Sequence, residues 1–412
     1  MIHDERLPAK FKTESEMIAK VLILYSERHP DDVDCLYDFL RVFLNPTGVD
    51  FTFVRTFLER MVTHELNLEQ KKKLLRRFFL VIGGEGNDEV KVLSIQLLIL
   101  PLLREGLEQE NVNGKLGGEQ PPTKGSLAYK ATPKESDGDK GNKNSEVSRS
   151  ELVGIEFIRS YMKVMKDGSS PRSERLHIEL LKVSSLLIEF LWKEMVEHRK
   201  ELIKFTWTHL KSDDSASKTW AYVNVCHFIS RFDCPSKITL QVWIALLRTH
   251  QANKDLVRSA IDILVPSLPK RLPEEDFTKA IKWTKKIMFE EGHSIPQLTH
   301  MWETFVRHPS VFFNDRNLFV PHMVNSLNRL GLPPTSTIEN RSLSLSVVDL
   351  IMSWEEHRLE ISRGSVSAQD HVDKKTRFSH EMPKAGADFT MNKSMVSFFS
   401  HSPTKVFFNN DN

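Results

Sequence analysis

Several stretches of this chain set reactive side chains close together. Cys226-His227 followed by Cys234 offers two thiols and an imidazole, the ligand types that zinc selects. Zinc takes four such ligands, usually as two close pairs, and no second pair follows at ligand spacing. Cys226 shares a helical face with Tyr222, Val225 and Ile229, so a buried structural thiol is expected. Glu355-Glu356-His357 and Glu290-Glu291-Gly292-His293 bring carboxylates beside imidazoles. Neither has the H-E-x-x-H spacing that puts two histidines on one helix face. The first reads as a solvated helix end, the second as a helix C-terminus with glycine at its cap. Gly83-Gly84-Glu85-Gly86 lacks the preceding strand and the following Gly-Lys-Ser/Thr of a phosphate cradle, and reads as a turn before a helix at Asp88.

Two further patterns concern nucleic acid. All seven tryptophans lie between Trp192 and Trp354, and Trp283 stands beside Lys282, Lys285 and Lys286. Such pairs stack bases in some proteins, but these rings fall mainly at helix-face positions, where core packing is expected. Lys71-Lys72-Lys73-Leu74-Leu75-Arg76-Arg77 is a basic amphipathic turn, readable as a weak nuclear signal, an anionic contact or, by preference, a solvated helix face. A net charge of +2 argues against direct nucleic-acid or anionic-membrane binding. No catalytic, cofactor-binding or metal-ligating residue is therefore expected, and no cofactor or small-molecule substrate. The chain also lacks the Gly-rich loop, H-R-D and D-F-G segments of a protein kinase.

The elements that carry these residues are helices. At 412 residues, with 40% apolar and 27% charged side chains, the chain exceeds one compact core and predicts several domains or an elongated repeat. Cys35, Cys226 and Cys234 are too few for a disulfide framework and fit a reducing compartment. The N-terminus has no apolar core of a signal peptide. The most apolar run, Val90 to Leu103, is shorter than the ~20 residues a spanning helix needs and reads as buried. Residues 1–106 are expected to be helical repeats. Met17, Val21, Leu22, Leu24 and Tyr25 form one apolar face, Leu36, Phe39, Leu40 and Phe43 the next, and Phe51, Val54, Phe57, Leu58 and Met61 a third. Residues 107–150, rich in Gly, Pro, Ser, Asn and charge, read as a disordered insertion. Residues 151–361 return to helices, with breaks at 167–171, 212–215, 233–235, 268–273, 291–296 and 330–334. Residues 362–412 read as a disordered tail.

The helices repeat. Asn253 to Leu268 has the shape of the second helix of a HEAT unit, with Ala260, Leu264 and Leu268 on its buried face; Asn87 to Leu98 is a looser copy. Ala221 precedes Ala260 by 39 residues, close to the ~40–47-residue period of HEAT and armadillo units. One helix pair cannot bury its own apolar stripe, so pairs stack. The expected fold is an all-α, HEAT/armadillo-like solenoid.

The segments H-R-K-E-L-I-K-F-T-W-T-H-L from His198, A-Y-V-N-V-C-H-F-I from Ala221, P-S-K-I-T-L-Q-V-W-I-A-L-L-R-T from Pro235 and L-V-R-S-A-I-D-I-L-V-P-S-L-P-K-R from Leu256 stand in order. E-E-G-H-S-I from Glu290, V-R-H-P-S-V-F-F from Val306, F-V-P-H-M-V-N-S-L-N-R-L from Phe319 and W-E-E-H-R from Trp354 continue them. This block resembles the transformation/transcription domain-associated proteins, very large pseudokinase scaffolds of SAGA-type and MYST-type histone acetyltransferase complexes. The resemblance implies a non-catalytic HEAT segment of a nuclear scaffold, with transcription activators and acetyltransferase subunits as partners. Members of that family are far longer and end in FAT and kinase-like domains, so the chain is expected to be a fragment, a truncated gene product or a short paralogue. The competing readings are another HEAT-class adaptor, such as a transport receptor or phosphatase scaffold, and a piece of an active lipid-kinase-related protein kinase.

Overall fold

The computed structural model describes residues 12–44, 50–84, 86–114, 150–166, 173–249 and 253–369. These residues are helical, without a strand among them. They divide into two compact units, Met1–Phe232 and Asp233–Asn412.

The first unit contains α1 (Lys12–Arg28), α2 (Val33–Leu40), α3 (Thr52–Arg60), α4 (Leu68–Gly83), α5 (Asp88–Ser94), α6 (Leu100–Val112), α7 (Ile155–Lys166), α8 (Glu174–Leu191), α9 (Arg199–Leu210) and α10 (Ser215–Arg231). Their starts follow from side-chain caps. Asn67 and Gln70 form a reciprocal capping box at α4, both bonds 3.0 Å. Asn87, Ser173 and Asp214 accept from the first-turn amides of α5, α8 and α10 at 2.9, 3.3 and 2.6 Å. A π-helical turn at Ile95–Ile99 joins α5 to α6. That widened turn takes Pro101, whose ring would collide with a carbonyl in an unbroken α-helix.

The helices alternate between two layers. α1 packs on α3, α3 on the turn between α5 and α6, both of these on α8, and α8 on α10. In the other layer α2 packs on α4, α4 on α7 and α7 on α9. The second unit contains α11 (Ser236–Arg248), α12 (Lys254–Leu264), α13 (Leu268–Arg271), α14 (Glu274–Glu291), α15 (Ile295–Arg307), α16 (Pro309–Phe312), α17 (Arg316–Leu330) and α18 (Ile338–Gln369). It follows the same rule: α11 packs on α14, while α12 packs on α15 and α15 on α18. Within each unit most helices thus meet the counterpart one pair further on, as in HEAT stacking. Ala221, Ala260 and Leu264 are fully buried, in the places the repeat assigned them.

Three expectations need correction. The α1 face drawn through Met17, Val21, Leu22, Leu24 and Tyr25 is exposed, with Met17 at 61% and Val21 at 64%. Apolar residues surround this helix, and the side turned inward carries Ala19, fully buried, with Ile18 and Ile23 packed beside it. Second, the helix expected to end at 106 continues to Val112. Leu107 is buried in the core, and the buried Glu110 carboxylate accepts the backbone N–H groups of Glu151 and Leu152 at 3.0 and 2.9 Å. This joins the two sides of the insertion; its residues 115–149 lie outside the described residues. Third, α18 runs on to Gln369, past Gly364, which weakens a helix but keeps its backbone N–H. Glu355-Glu356-His357 is therefore mid-helix, not a helix end. Residues 370–412 of the expected tail lie outside the described residues.

Candidate functional site

The residues singled out for chemistry are placed apart, some in the core and others on the surface. Cys226 is fully buried on α10, and burial pushes its thiol up. Cys234 is half-buried, its thiol pushed up to about 11, also by burial. Gly83-Gly84 ends α4, and Asn87 caps α5 three residues after Gly84, giving the interhelical turn. The His293 ring meets the Glu290 carbonyl at 3.2 Å, and Arg329 donates to the Gly292 carbonyl at 2.8 Å, so this helix end is clasped from α17. Glu355 accepts both guanidinium bonds of Arg358.

The basic turn at Lys71 is also spent internally. The ammonium groups of Lys71 and Lys73 donate to the backbone carbonyls of Thr63 and Asp31 at 2.9 and 2.6 Å. Lys72 pairs with Glu69 at 3.1 Å and Arg77 with Asp34 at 2.5 Å. Trp243, Trp302 and Trp354 are buried, whereas Trp220 and Trp283 are half-buried under the ammonium groups of Lys182 and Lys286, at 5.0 and 4.8 Å.

Residues of the quoted segments reach across to neighbouring helices. In the first unit Asn224 (A-Y-V-N-V) is fully buried and donates to the Ser185 hydroxyl at 3.0 Å and the Leu181 carbonyl at 3.3 Å, while accepting from Thr206. One amide thus links α8, α9 and α10. In the second unit the Trp243 indole (Q-V-W-I-A) donates to Thr284 at 3.0 Å, and the Trp354 indole (W-E-E-H-R) to the Pro309 carbonyl at 3.0 Å. Arg258 on α12 donates to Glu303 on α15 at 2.8 Å. Asp262, from the same helix, pairs with Arg307 and accepts from His308 at 2.9 Å. Burial, with Arg307 adding to it, pushes His308 down to about 4, so this contact is a hydrogen bond from a neutral imidazole and not an ion pair. Apart from Asn224–Thr206 within one repeat, the separations of these pairs, 39, 41, 43, 45 and 46 residues, are the repeat length written in side chains.

One grouping of metal-ligand types is present among the described residues, and it is not one the sequence patterns suggested. Glu174 and His177 on the first turns of α8 and His209 in the last turn of α9 bring one ligand atom each within 4.8 Å of one another. The imidazole centroids are 4.7 Å apart, and Phe205 lies edge-on to both. Burial, then His177, pushes His209 down to about 4. E-R-L-H was visible in the sequence as a carboxylate and an imidazole at i, i+3, but nothing there pointed to a partner on the next helix.

Outside these clasps, α18 carries apolar residues on two faces. Leu343, Val347, Leu350 and Trp354 are buried. Ile338, Leu345, Met352 and Leu359, seven residues apart, are exposed, Ile338 at 82% and Leu345 at 68%.

Paired helices stacked in two layers, with polar clasps one repeat apart, define a HEAT-type repeat protein. The chain matches the Tra1 HEAT repeat ring region over residues 2–404 and belongs to that family. It is 34% identical over 357 residues to the probable transcription-associated protein 1 of Dictyostelium discoideum, which covers 86% of this chain and 7% of that protein. It is 28% identical over 367 residues to the human transformation/transcription domain-associated protein, covering 86% of this chain and 9% of that one. A subunit of the Saccharomyces cerevisiae SAGA complex/NuA4 acetyltransferase complex is 33% identical over 186 residues, 45% of this chain and 5% of that subunit. The chain thus spans less than a tenth of the length of each of these relatives.

Proposed function

We propose that this chain is a non-catalytic scaffold segment of a nuclear transcription-coactivator assembly, holding acetyltransferase subunits and serving recruitment by transcription activators. The observation that carries this reading is where its distinctive residues go. Asn224, Trp243, Asp262, His308 and Trp354 are spent on joining one repeat to the next. A sequence so written specifies a surface of defined shape, which is what a scaffold needs. The names of the yeast and human relatives, an acetyltransferase-complex subunit and a transcription-associated protein, supply the kind of assembly.

The outer face of α18 is the surface assigned to protein contact, because an apolar stripe of this length is unfavourable in water unless covered. The double variant L345E/M352E tests it. Both side chains are exposed, so its unfolding free energy from urea denaturation should stay within about 0.5 kcal/mol of the parent. Recovery of acetyltransferase subunits with the tagged chain should fall severalfold. Unchanged recovery would remove this face from the proposal.

A further inference from the structure

We propose that Glu174, His177 and His209 form a binding site for a divalent transition-metal ion, zinc foremost, which staples α8 to α9. The donor set is two imidazoles and one carboxylate, a combination that suits zinc with water in the remaining position. Tetrahedral ligands at zinc-bond length stand ~3.4 Å apart, so atoms already within 4.8 Å close on an ion by side-chain rotation alone.

The surroundings fit a cation. His209 lies in the last turn of α9, where the unpaired carbonyl ends carry partial negative charge. Glu174 is the first residue of α8, so its carboxylate offsets the opposite partial charge of that helix end. The Ser217 hydroxyl on α10, itself fully buried, donates to Glu174 Oε2 at 2.8 Å. That bond orients the carboxylate as outer partners orient metal ligands elsewhere. Glu174 is exposed and His177 half-buried, which leaves an entry path and an open coordination position. The ion would add a cross-link between two helices that meet here through Phe205 and the two imidazole rings.

The test uses the full 412-residue chain, stripped with EDTA and titrated with zinc chloride by calorimetry, and with cobalt(II) by visible absorption. One equivalent of zinc should bind, the melting temperature should rise with zinc, and the cobalt form should show the intense bands of a low-coordinate N/O site. E174Q and H177A should each weaken binding by at least about tenfold, and S217A by about tenfold through misorientation of the carboxylate. E174Q alters an exposed side chain and so reports on binding without unfolding the chain, should H177A prove unstable. No one-to-one binding by the parent, or affinity unchanged in E174Q, would overturn the proposal.

Discussion

Asn224 makes the largest single demand on its surroundings. Its amide has partners on two other helices and no contact with water. Asn224→Ala removes the donor and acceptor and opens a cavity, while Ser185 and Thr206 retain backbone acceptors at Leu181 and Leu202. The expected loss is about 1–3 kcal/mol, read as a lower urea midpoint at unchanged slope; an unchanged midpoint would contradict the role given to it. His227 and His308, each pushed down to about 4 chiefly by burial, make stability depend on pH. Between that value and the ordinary histidine range the unfolded chain binds more protons than the folded one, so stability is fully present above pH ~6.5 and falls as pH drops toward 4. Each contributes at most about 3 kcal/mol over that window. Urea midpoints measured from pH 7.5 to 5 should fall steadily, and H308N should lessen the slope; a flat profile would contradict the buried neutral state. At this scale the sequence was partly legible. Cys226 on an apolar face was readable from spacing, but Asn224 was not, because a polar residue in a helix is ordinarily solvated and only the neighbouring helices say otherwise. The Glu174–His177–His209 grouping was hidden for the same reason: its third member comes from another helix.

The helices were legible where caps and breaks are local. Asn67, Asn87, Ser173, Asp214 and Asn253 start helices through their own side chains, and the sequence carries that information within four residues. The ends of α6 and the face of α1 were not legible. Which side of an evenly apolar helix turns inward depends on the neighbour it meets, here α3. The length of α6 depends on Glu110 finding the amides of Glu151 and Leu152 across the insertion. Glu110→Ala should leave those two N–H groups without their acceptor and cost about 2–3 kcal/mol, whereas Glu110→Gln keeps a carbonyl oxygen there and should cost about half as much or less. Equal losses in the two variants, measured by urea denaturation, would show that the carboxyl group acts through charge and not as an acceptor for the returning chain.

For the chain as a whole, the all-α repeat architecture was readable because it rests on periodicity and on the 39-residue offset of Ala221 and Ala260, both local in sequence. The kind of partner came only through the family resemblance, and the face that would bind it was not readable, because a repeat protein writes most of its distinctive residues into its own stacking. On α18, whose outer face is the one proposed for protein contact, the buried face is tied by Trp354, whereas the outer face shows only a seven-residue apolar spacing. The central claim is that the chain works inside a large acetyltransferase assembly. It is tested most directly by tagging the endogenous protein, sizing it by gel filtration of nuclear extract and identifying what co-purifies by mass spectrometry. Elution in a very large complex together with acetyltransferase subunits is the result expected. Elution near 47.6 kDa without them would contradict the scaffold assignment.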